Sequence, residues 1–417
     1  MDDYLRWSEA QRGEYSLLSD IAGCALPSVY RPSARSLAAA ASPSALAAAA
    51  PSPSLMAALR SLDASPELEL WTDRLREWLA ARLLQPLTQQ LLRSHAVVER
   101  AVAACPRLPR RAPPALLQAE ESYFRGGGGG GPGSPRTAGG STRGGGGGAD
   151  SDQAEAELRM LAEQLSGAPP GALSPDESYA LDACVRHLAL LALLRGTFPA
   201  GLLAPMPPQY VALRVRQLAQ GSCCEAFSWS QGGDWPPGKP WSPELPDDSQ
   251  LLLHLLTAFL LAPGWTFQAE HAGLSRPGAA AAAAVYTPPP THSPSAPALP
   301  MPVFAGGRGG PLFVGALPAS ARAPEAYAAI LVAPLRPPEA HAQALGLSFS
   351  RAAPPRFHVY GRGRELAATS GHNGLLHALV LFFLLAEREG GGALGPARLE
   401  SPAVALASIF SEPGLRL

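Results

Sequence analysis

The stretch FSWSQGGDWPPGKPW, Phe227–Trp241, organises the C-terminal half because it places three tryptophans, three glycines and three prolines in one loop. Glycines permit sharp backbone reversals, and prolines and tryptophans then hold them in place. Three large rings this close together bury a wide area if they turn inward. We therefore predict a loop that closes a small fold, with docking of a protein partner as the alternative role. Its defining residues are Cys223, Phe227, Trp229, Gly232, Gly233, Asp234, Trp235, Trp241 and Leu245.

The same loop has the residue spacing of a phosphate-binding motif, over Gly233–Lys239. Such a motif holds phosphates with successive backbone N–H groups, places Ser or Thr after the lysine, and lies between a strand and a helix. Here Pro236, Pro237 and Pro240 lack an N–H, and the last of them takes the Ser/Thr position. The sequence therefore argues against nucleotide binding at this loop.

Helical patterns flank the loop on both sides. One helix is predicted over 209–219, and it ends at Gly221, a residue type suited to a left-handed cap. A second helix is predicted over 248–262, where Asp247 or Asp248 can accept hydrogen bonds from the first free N–H groups. The loop therefore joins two helices.

The pattern changes between that second helix and another predicted over 373–389. Three short β-prone runs, separated by Gly, Pro and Arg, predict strands at Leu312–Val314, Tyr327–Val332 and Phe357–Tyr360. The predicted fold class is α+β, mainly helical, with a small antiparallel sheet of about three strands near the C-terminal half. We place this domain at residues 205–417, interrupted by a disordered insertion at 273–302.

An amphipathic helical segment is predicted earlier in the chain, at 65–105. Ser65 is expected as its N-cap, Pro66 as its first residue, and Pro86 as a kink within it. Apolar residues recur there at helical spacing and define one buried face: Leu68, Trp71, Leu75, Trp78, Leu79 and Leu83.

A helical region at 152–204 contains a helix predicted from about Pro175 to Leu194. Ser174 and Glu177, three residues apart, form a capping box at its start. The remaining segments, 1–64 and 106–151, are rich in Ala, Gly, Pro and Ser. They cannot bury enough apolar surface to offset chain entropy, so we predict them to be mostly disordered.

Charge and hydropathy exclude two classes of partner surface. The formal net charge is −1 over 417 residues, which offers no broad attraction for nucleic acid or anionic lipid. The longest apolar runs, 251–262 and 375–386, are shorter than the roughly 20 residues that a membrane span needs. We therefore expect buried core helices, no nucleic-acid partner and no span in this chain.

No pattern in the chain carries recognisable catalysis. The sequence holds no H-E-x-x-H, G-x-S-x-G or C-x-x-C, and its five cysteines are scattered and odd in number. The adjacent Cys223 and Cys224 could form a redox pair or join His254 at a metal, and His254 with His377 could ligate haem. Buried thiols and histidines bonded to carbonyls are the simpler interpretation, so we expect a non-enzyme with no cofactor and no metal.

The residues around the loop also resemble a known family. The run from Leu218 through Phe227, Asp234 and Asp248 to His254 is similar in order and spacing to the C-terminal domain of the transmembrane protein 209 family, which is cytochrome b561-related. Two further stretches, Trp71–Leu87 and Pro355–Phe410, resemble that family's amphipathic segment and its terminal strand and helices. The resemblance implies two N-terminal membrane spans, residence at the nuclear envelope or endomembrane, and no established enzymatic activity.

The chain departs from this family in lacking the spans. Either they precede residue 1 in a longer protein, or this form is soluble on the cytoplasmic or nucleoplasmic side. The resemblance implies no haem site, since cytochromes of that name hold haem through histidines in membrane helices. We hypothesise a non-catalytic protein-interaction or scaffold domain that binds a protein partner through a groove or an edge strand. The alternative is a redox or metal-binding protein that uses Cys223, Cys224 and His254.

Overall fold

The structure is a computed structural model that describes the larger part of the chain, and the described residues fall within one compact unit, residues 48–417. The insertion predicted at 273–302 lies outside the described residues except at its first two positions, as do most of the predicted disordered segments 1–64 and 106–151. The described ranges are 52–104, 147–169, 171–199, 206–235, 239–274, 312–317, 327–332, 345–350, 354–361, 364–394 and 397–411.

The first helix, α1 (Pro53–Ser61), lies near the end of the segment 1–64, which the sequence predicts to be mostly disordered. Ser52 caps it by accepting a hydrogen bond from the N–H of Leu55 at 3.2 Å, and proline occupies its first position. Leu55 and Leu59, one turn apart, are fully buried. These two leucines join the main hydrophobic core, and Met56 and Ala58 pack against it.

The predicted amphipathic segment is one continuous helical stretch of three parts: α2 (Leu68–Trp78), a π-helical segment (Leu79–Leu84) and α3 (Gln85–Ala104). All six residues of the predicted apolar face are buried, which confirms that face. Ser65 does not cap α2, because it begins a 3-10 turn that precedes the helix. That expectation was wrong.

Pro86 is the second residue of α3, and the helix runs on from it to Ala104 as predicted, whereas the kink expected at this proline stays a prediction. The N–H of Gln85 donates to the carbonyl of Ala80, five residues back, in the wide turn of the π-helical segment. This turn shifts the hydrogen-bond register immediately before a residue that has no N–H to contribute. The helix therefore continues through the proline.

Two further helices form a second layer, α4 (Gly147–Ser166) and α5 (Pro175–Leu194). The start of α4 extends into the predicted Gly-rich linker. The capping box of α5 is present as predicted: Ser174 Oγ accepts from the N–H of Glu177 at 3.2 Å, and Glu177 Oε2 accepts from the N–H of Ser174 at 2.8 Å. The second half of α5 is buried on most sides and reaches the main core.

The helices that flank the loop are α6 (Pro208–Leu218) and α7 (Asp248–Leu261), close to their predicted bounds. Gly221, just after α6, has a φ of 82°, the left-handed conformation that its position predicts. Within the described residues, no helix is both long enough and apolar enough to cross a membrane.

A five-stranded antiparallel sheet in the order β1-β2-β3-β4-β5 confirms the α+β class. The three predicted strands lie within β1, β2 and β4, and β3 and β5 extend the sheet. The helix α8 (Gly374–Gly390) packs across β3, β4 and β5 and ends at two left-handed glycines. The strands are β1 (Leu312–Leu317), β2 (Tyr327–Val332), β3 (Leu345–Ser350), β4 (Arg356–Gly361) and β5 (Arg364–Ser370); a two-stranded ladder, β6 (Ala393–Leu394) and β7 (Ala397–Arg398), follows α8.

Candidate functional site: the tryptophan-rich loop and the Arg76 cluster

The tryptophan-rich loop, residues 219–247, is built around a buried ion pair between the two helices that it joins. Arg214 of α6 donates to both carboxylate oxygens of Asp248, from Nε at 2.7 Å and from Nη2 at 2.5 Å. Asp248 is fully buried. Burial raises the pKa of Asp248, and the guanidinium and the backbone N–H of Ser228 oppose that rise. A two-point contact of this kind fixes the relative position of α6 and α7.

The same two side chains also hold the loop itself. Arg214 donates from Nη2 to the carbonyl of Ala226 at 2.7 Å, and Asp248 accepts from the N–H of Ser228 at 2.7 Å. The N–H of Asp248 donates to the carbonyl of Gln231 at 2.9 Å. Polar groups of the loop backbone are therefore satisfied by the ion pair.

Gly232 and Gly233 lie where the loop backbone approaches α6 most closely. A Cβ at Gly232 would be 2.0 Å from Tyr210 Oη, and one at Gly233 would be 2.9 Å from Arg214 Cδ. Tyr210 is itself fixed, because its hydroxyl donates to the carbonyl of Pro246 at 2.8 Å. Glycine is therefore needed for space at both positions.

The three tryptophans of the loop are half-buried and pack against the main core, as does Leu245. Trp241 donates from Nε1 to the carbonyl of Pro246 at 3.3 Å, and the Trp235 ring meets Tyr210 edge-on at 6.2 Å. The carbonyl of Trp229 accepts from Ser249 Oγ at 2.7 Å. Asp234 is exposed.

Asp247 is the N-cap of α7, which settles the predicted choice between the two aspartates. One carboxylate oxygen of Asp247 accepts from the N–H of Gln250 at 2.8 Å. Burial raises the pKa of Asp247 to about 7, against the opposing effect of this hydrogen bond. Asp248 is the first residue of the helix proper and serves the ion pair instead.

A second group of polar residues, the Arg76 cluster, lies where the loop meets α2 and the start of α8. It comprises Arg76, Phe227, His372, Asn373 and His377. Arg76 donates from Nη2 to Asn373 Oδ1 at 2.7 Å, and its Cζ lies 5.9 Å from the centre of the Phe227 ring. The rings of Phe227 and His372 are 6.2 Å apart.

The two adjacent thiols border this cluster. Cys224 Sγ lies 3.7 Å from the carbonyl of Arg76, and Cys223 Sγ lies 3.9 Å from Glu225 Oε1. Burial raises the pKa of Cys224 to about 12 and also raises that of Cys223. Because the thiolate is the form that attacks disulfides and binds metals, these raised pKa values disfavour the reactive form of both side chains. They are not joined to each other by a disulfide.

The two helix histidines have separate surroundings. His254 is fully buried, and its Nε2 lies 3.0 Å from the carbonyl of Leu193 in α5. His377 belongs to the Arg76 cluster. Burial lowers the pKa of both imidazoles to about 4. Over the described residues, no three His, Cys, Asp or Glu side chains are grouped so that they could hold a metal ion.

Haem ligation by this histidine pair does not fit the contacts. The Nε2 of His254 is already engaged by a backbone carbonyl, and its neighbours on α7 are packed leucines without exposed area. His254 contacts α5, whereas Cys224 contacts α2 and Cys223 contacts Glu225 of the loop. The contacts of these groups therefore favour a structural role.

Arg214 and Arg76 make the central contacts among the site residues that sequence reasoning missed, which also include Tyr210, His372 and Asn373. The signal for Arg214 was available, since it falls between Val211 and Leu218 on the buried face of α6, where an arginine needs a partner. Arg76 lies off the apolar face of α2, and nothing local marks its contact with Asn373, which is 297 positions away.

Comparison with known proteins gives one family match. The sequence model of the family described as Cytochrome B561, N terminal, matches residues 25–411. That range includes α1 to α8, the tryptophan-rich loop and the Arg76 cluster. No solved structure gives a significant match.

Proposed function

The chain belongs to the cytochrome b561 N-terminal family, and on that premise we propose that it is a non-catalytic protein-interaction domain. The partner is an extended segment of another protein, which adds as a strand to the β1 edge of the sheet, where no further strand pairs among the described residues. We extend the proposal to a nuclear-envelope or endomembrane location, on the sole ground that the loop resembles the transmembrane protein 209 family.

The proposal rests on a difference between the two edges of the sheet: one is covered by a helix, and the other pairs with no further strand among the described residues. The β5 edge is covered by α1, where Ser54 Oγ lies 3.3 Å from the carbonyl of Ala368 and 3.2 Å from its N–H. The hydroxyl therefore satisfies both outward-facing groups of that strand residue. At the opposite edge, β2 is the one strand that pairs with β1 within the described part of the chain. An edge strand offers a row of backbone donors and acceptors that another strand can pair with.

The state of the loop supports a role without catalysis. Its buried polar groups are committed to one another: Arg214 to Asp248, and Tyr210 to the carbonyl of Pro246. The two thiols have raised pKa values. Catalytic groups usually have pKa values tuned toward the working pH, whereas those of the two thiols are shifted away from it. Asp247 has a pKa of about 7, but its carboxylate is committed to capping α7.

The test is selection of binding peptides from a displayed random library on the purified full-length chain. We expect selected peptides to slow hydrogen exchange of the β1 amides. In an antiparallel strand, adjacent residues alternate between facing the partner strand and facing outward. Val314→Pro and Gly315→Pro are therefore matched variants, since one removes an N–H bonded to β2 and the other removes an outward N–H.

The variant that keeps the hydrogen-exchange protection between β1 and β2 is the one that has lost an outward N–H. This variant should lose peptide binding. Peptides that bind this variant as well as the wild type, or that protect amides elsewhere and leave β1 unchanged, would contradict strand addition. Metal analysis and thiol titration of the same preparation test the redox alternative. Stoichiometric metal, or a reducible bond between Cys223 and Cys224, would replace the proposal with that alternative.

A further inference from the structure

We propose that the Arg76 cluster is a binding site for a single carboxylate group. The inference rests on the proposed function in one respect, because it takes the carboxylate from a protein partner. The site itself is argued from three independent features: an arginine with spare donors, an uncapped helix start and a buried imidazole nitrogen without a partner.

Arg76 has more hydrogen-bonding capacity than its neighbours use. A guanidinium carries five N–H donors, and Arg76 makes one hydrogen bond, to Asn373, and no salt bridge among the described residues. The Phe227 ring lies beside its Cζ at 5.9 Å, which helps to hold the planar group in place. A planar fork of donors matches the two oxygens of a carboxylate.

The first turn of α8 adds backbone donors on the same side. Asn373 occupies the N-cap position, yet its side chain accepts from Arg76 and caps no N–H of the helix. The N–H of Gly374 donates to the carbonyl of Gly371 at 2.9 Å, which leaves the N–H groups of Leu375 and Leu376 without a partner among the described residues. These donors and the partial positive charge at the start of a 17-residue helix favour an anion.

His377 gives the observation that points to a missing ligand. Its side chain is 2% exposed, and its Nε2 is buried without a hydrogen-bond partner among the described residues. His377 lies four residues after Asn373, so the two share one side of the first turn, and the N–H of His377 donates to the carbonyl of Asn373 at 2.8 Å. A buried nitrogen left unpaired costs free energy that a bound oxygen would recover.

The charge of the surroundings selects a monoanion. Asp73 lies one turn before Arg76 on α2, and Arg76 opposes the burial-induced rise in the pKa of Asp73. The guanidinium is therefore partly compensated already, and both histidines of the cluster have lowered pKa values. A carboxylate adds one negative charge, whereas a phosphate adds nearly two. His372 and Asn373 are half-buried, which leaves the cluster open to a group from outside.

The experiment follows the imidazole signals of the full chain by NMR during titration with sodium acetate. The chain has nine histidines, and His372→Gln and His377→Gln assign the two that matter. Sodium chloride at equal ionic strength is the control for salt. N-acetyl-leucine supplies a C-terminal carboxylate and acetylated aspartate amide supplies a side-chain carboxylate, so these two probes distinguish the sources.

We expect saturable shifts of the His372 and His377 signals in the wild type. Arg76→Gln should weaken acetate binding about tenfold or more, since a charge-assisted contact is removed. Arg76→Lys keeps the positive charge but lacks the planar fork of donors. Its affinity for acetate should therefore lie between those of the wild type and Arg76→Gln. Arg82→Gln is the matched control, because Arg82 is exposed on the adjoining π-helical segment, and it should bind like the wild type.

Shifts that grow linearly with salt, or that persist in Arg76→Gln, would overturn the site. Tighter binding of inorganic phosphate than of acetate would overturn the carboxylate assignment. If Arg76→Gln unfolds, the acetate affinities of Arg76→Lys and Arg82→Gln still test the site, because only the former should be weaker than that of the wild type. Failure here leaves the β1 proline experiment untouched, because the two tests report on different surfaces.

Discussion

Gly232 is the residue where the tryptophan-rich loop tolerates least change. A Cβ there would lie 2.0 Å from Tyr210 Oη and 2.7 Å from Trp241 Cδ1, and both side chains are tied to the carbonyl of Pro246. Neither can move without losing a hydrogen bond. We expect Gly232→Ala to lower the free energy of unfolding by about 1–3 kcal/mol or more, measured by urea denaturation.

Gly167→Ala is the control for this substitution. A Cβ at Gly167 would lie 3.4 Å from the carbonyl of Glu163, and its φ is not in the left-handed region. Its effect on unfolding should stay within about 1 kcal/mol. Equal losses for the two variants would show that the crowding at Gly232 is not the cause.

The buried Asp247 predicts a dependence of stability on pH. Burial raises its pKa from 3.8 to about 7 in the folded chain. Between these values the folded state binds more protons than the unfolded state, so the free energy of unfolding falls as pH rises. The contribution is fully present below about pH 4 and is lost by about pH 7.

Asp247→Asn isolates this effect, because asparagine also caps a helix but does not titrate. Urea unfolding of both proteins between pH 4 and 8 should show the variant gaining stability relative to the wild type, by roughly 4 kcal/mol in total. The curves should run parallel above pH 7. A constant difference across the whole range would mean that Asp247 does not titrate in this window.

Among the elements, α1 is expected to keep the sheet from pairing at its β5 edge. Leu55→Ala with Leu59→Ala removes the two fully buried side chains that dock it, each at a cost of about 2–5 kcal/mol. Once α1 lifts away, Ser54 no longer satisfies the outward groups of Ala368, and the strand is free to pair with a second copy. Sedimentation velocity should show association that rises with protein concentration.

Leu92→Ala is the matched change, since Leu92 is 59% exposed on α3. It should leave both stability and sedimentation unchanged. If the double variant loses stability but stays monomeric at every concentration, α1 supports the core without guarding the edge.

Elements with local signals were predictable, and those that depend on distant partners were not. The capping box of Ser174 and Glu177 and the β-branched run of β2 carry their own evidence, so α5 and β2 match their predicted bounds. In β3, Leu345, Leu347 and Phe349 alternate with glycine and serine, which is a local strand signal that was overlooked. By contrast, β5 is rich in Ala and charged residues, and its place in the sheet makes it a strand. Likewise, α1 sits in Ala/Ser/Pro-rich sequence, where two leucines give little periodicity.

In the tryptophan-rich loop and the Arg76 cluster, too, only features with a local sequence signal could be predicted. The glycines and tryptophans of the loop were recognisable because their special backbone and ring requirements are local. The partnership of Arg214 with Asp248 crosses 34 positions, and that of Arg76 with Asn373 crosses 297. Neither pairing follows from spacing, because each depends on how the helices pack.

At the scale of the whole molecule, the N-terminal helices and the C-terminal half share one hydrophobic core. Trp78 of α2 donates from Nε1 to the carbonyl of Val404 at 2.8 Å, and Trp265 donates from Nε1 to the carbonyl of Leu83 at 3.1 Å. The rings of Trp78 and Phe259 meet edge-on at 5.6 Å. Thus α2 and the π-helical segment pack directly against residues of the C-terminal half.

This arrangement bears on the proposed domain boundary at residue 205. A fragment of residues 205–417 exposes the surfaces that Leu75, Leu83 and Trp78 cover in the full chain. We expect it to lack cooperative unfolding in urea when it is purified alone, and to regain it when residues 52–104 are co-expressed as a separate chain. Trp78→Ala in that second chain should reduce the recovery, whereas Leu92→Ala should not, because only Trp78 is buried in the shared core. A fragment that unfolds alone at the same urea concentration as the full chain would show that the N-terminal helices cover this core without being needed to form it.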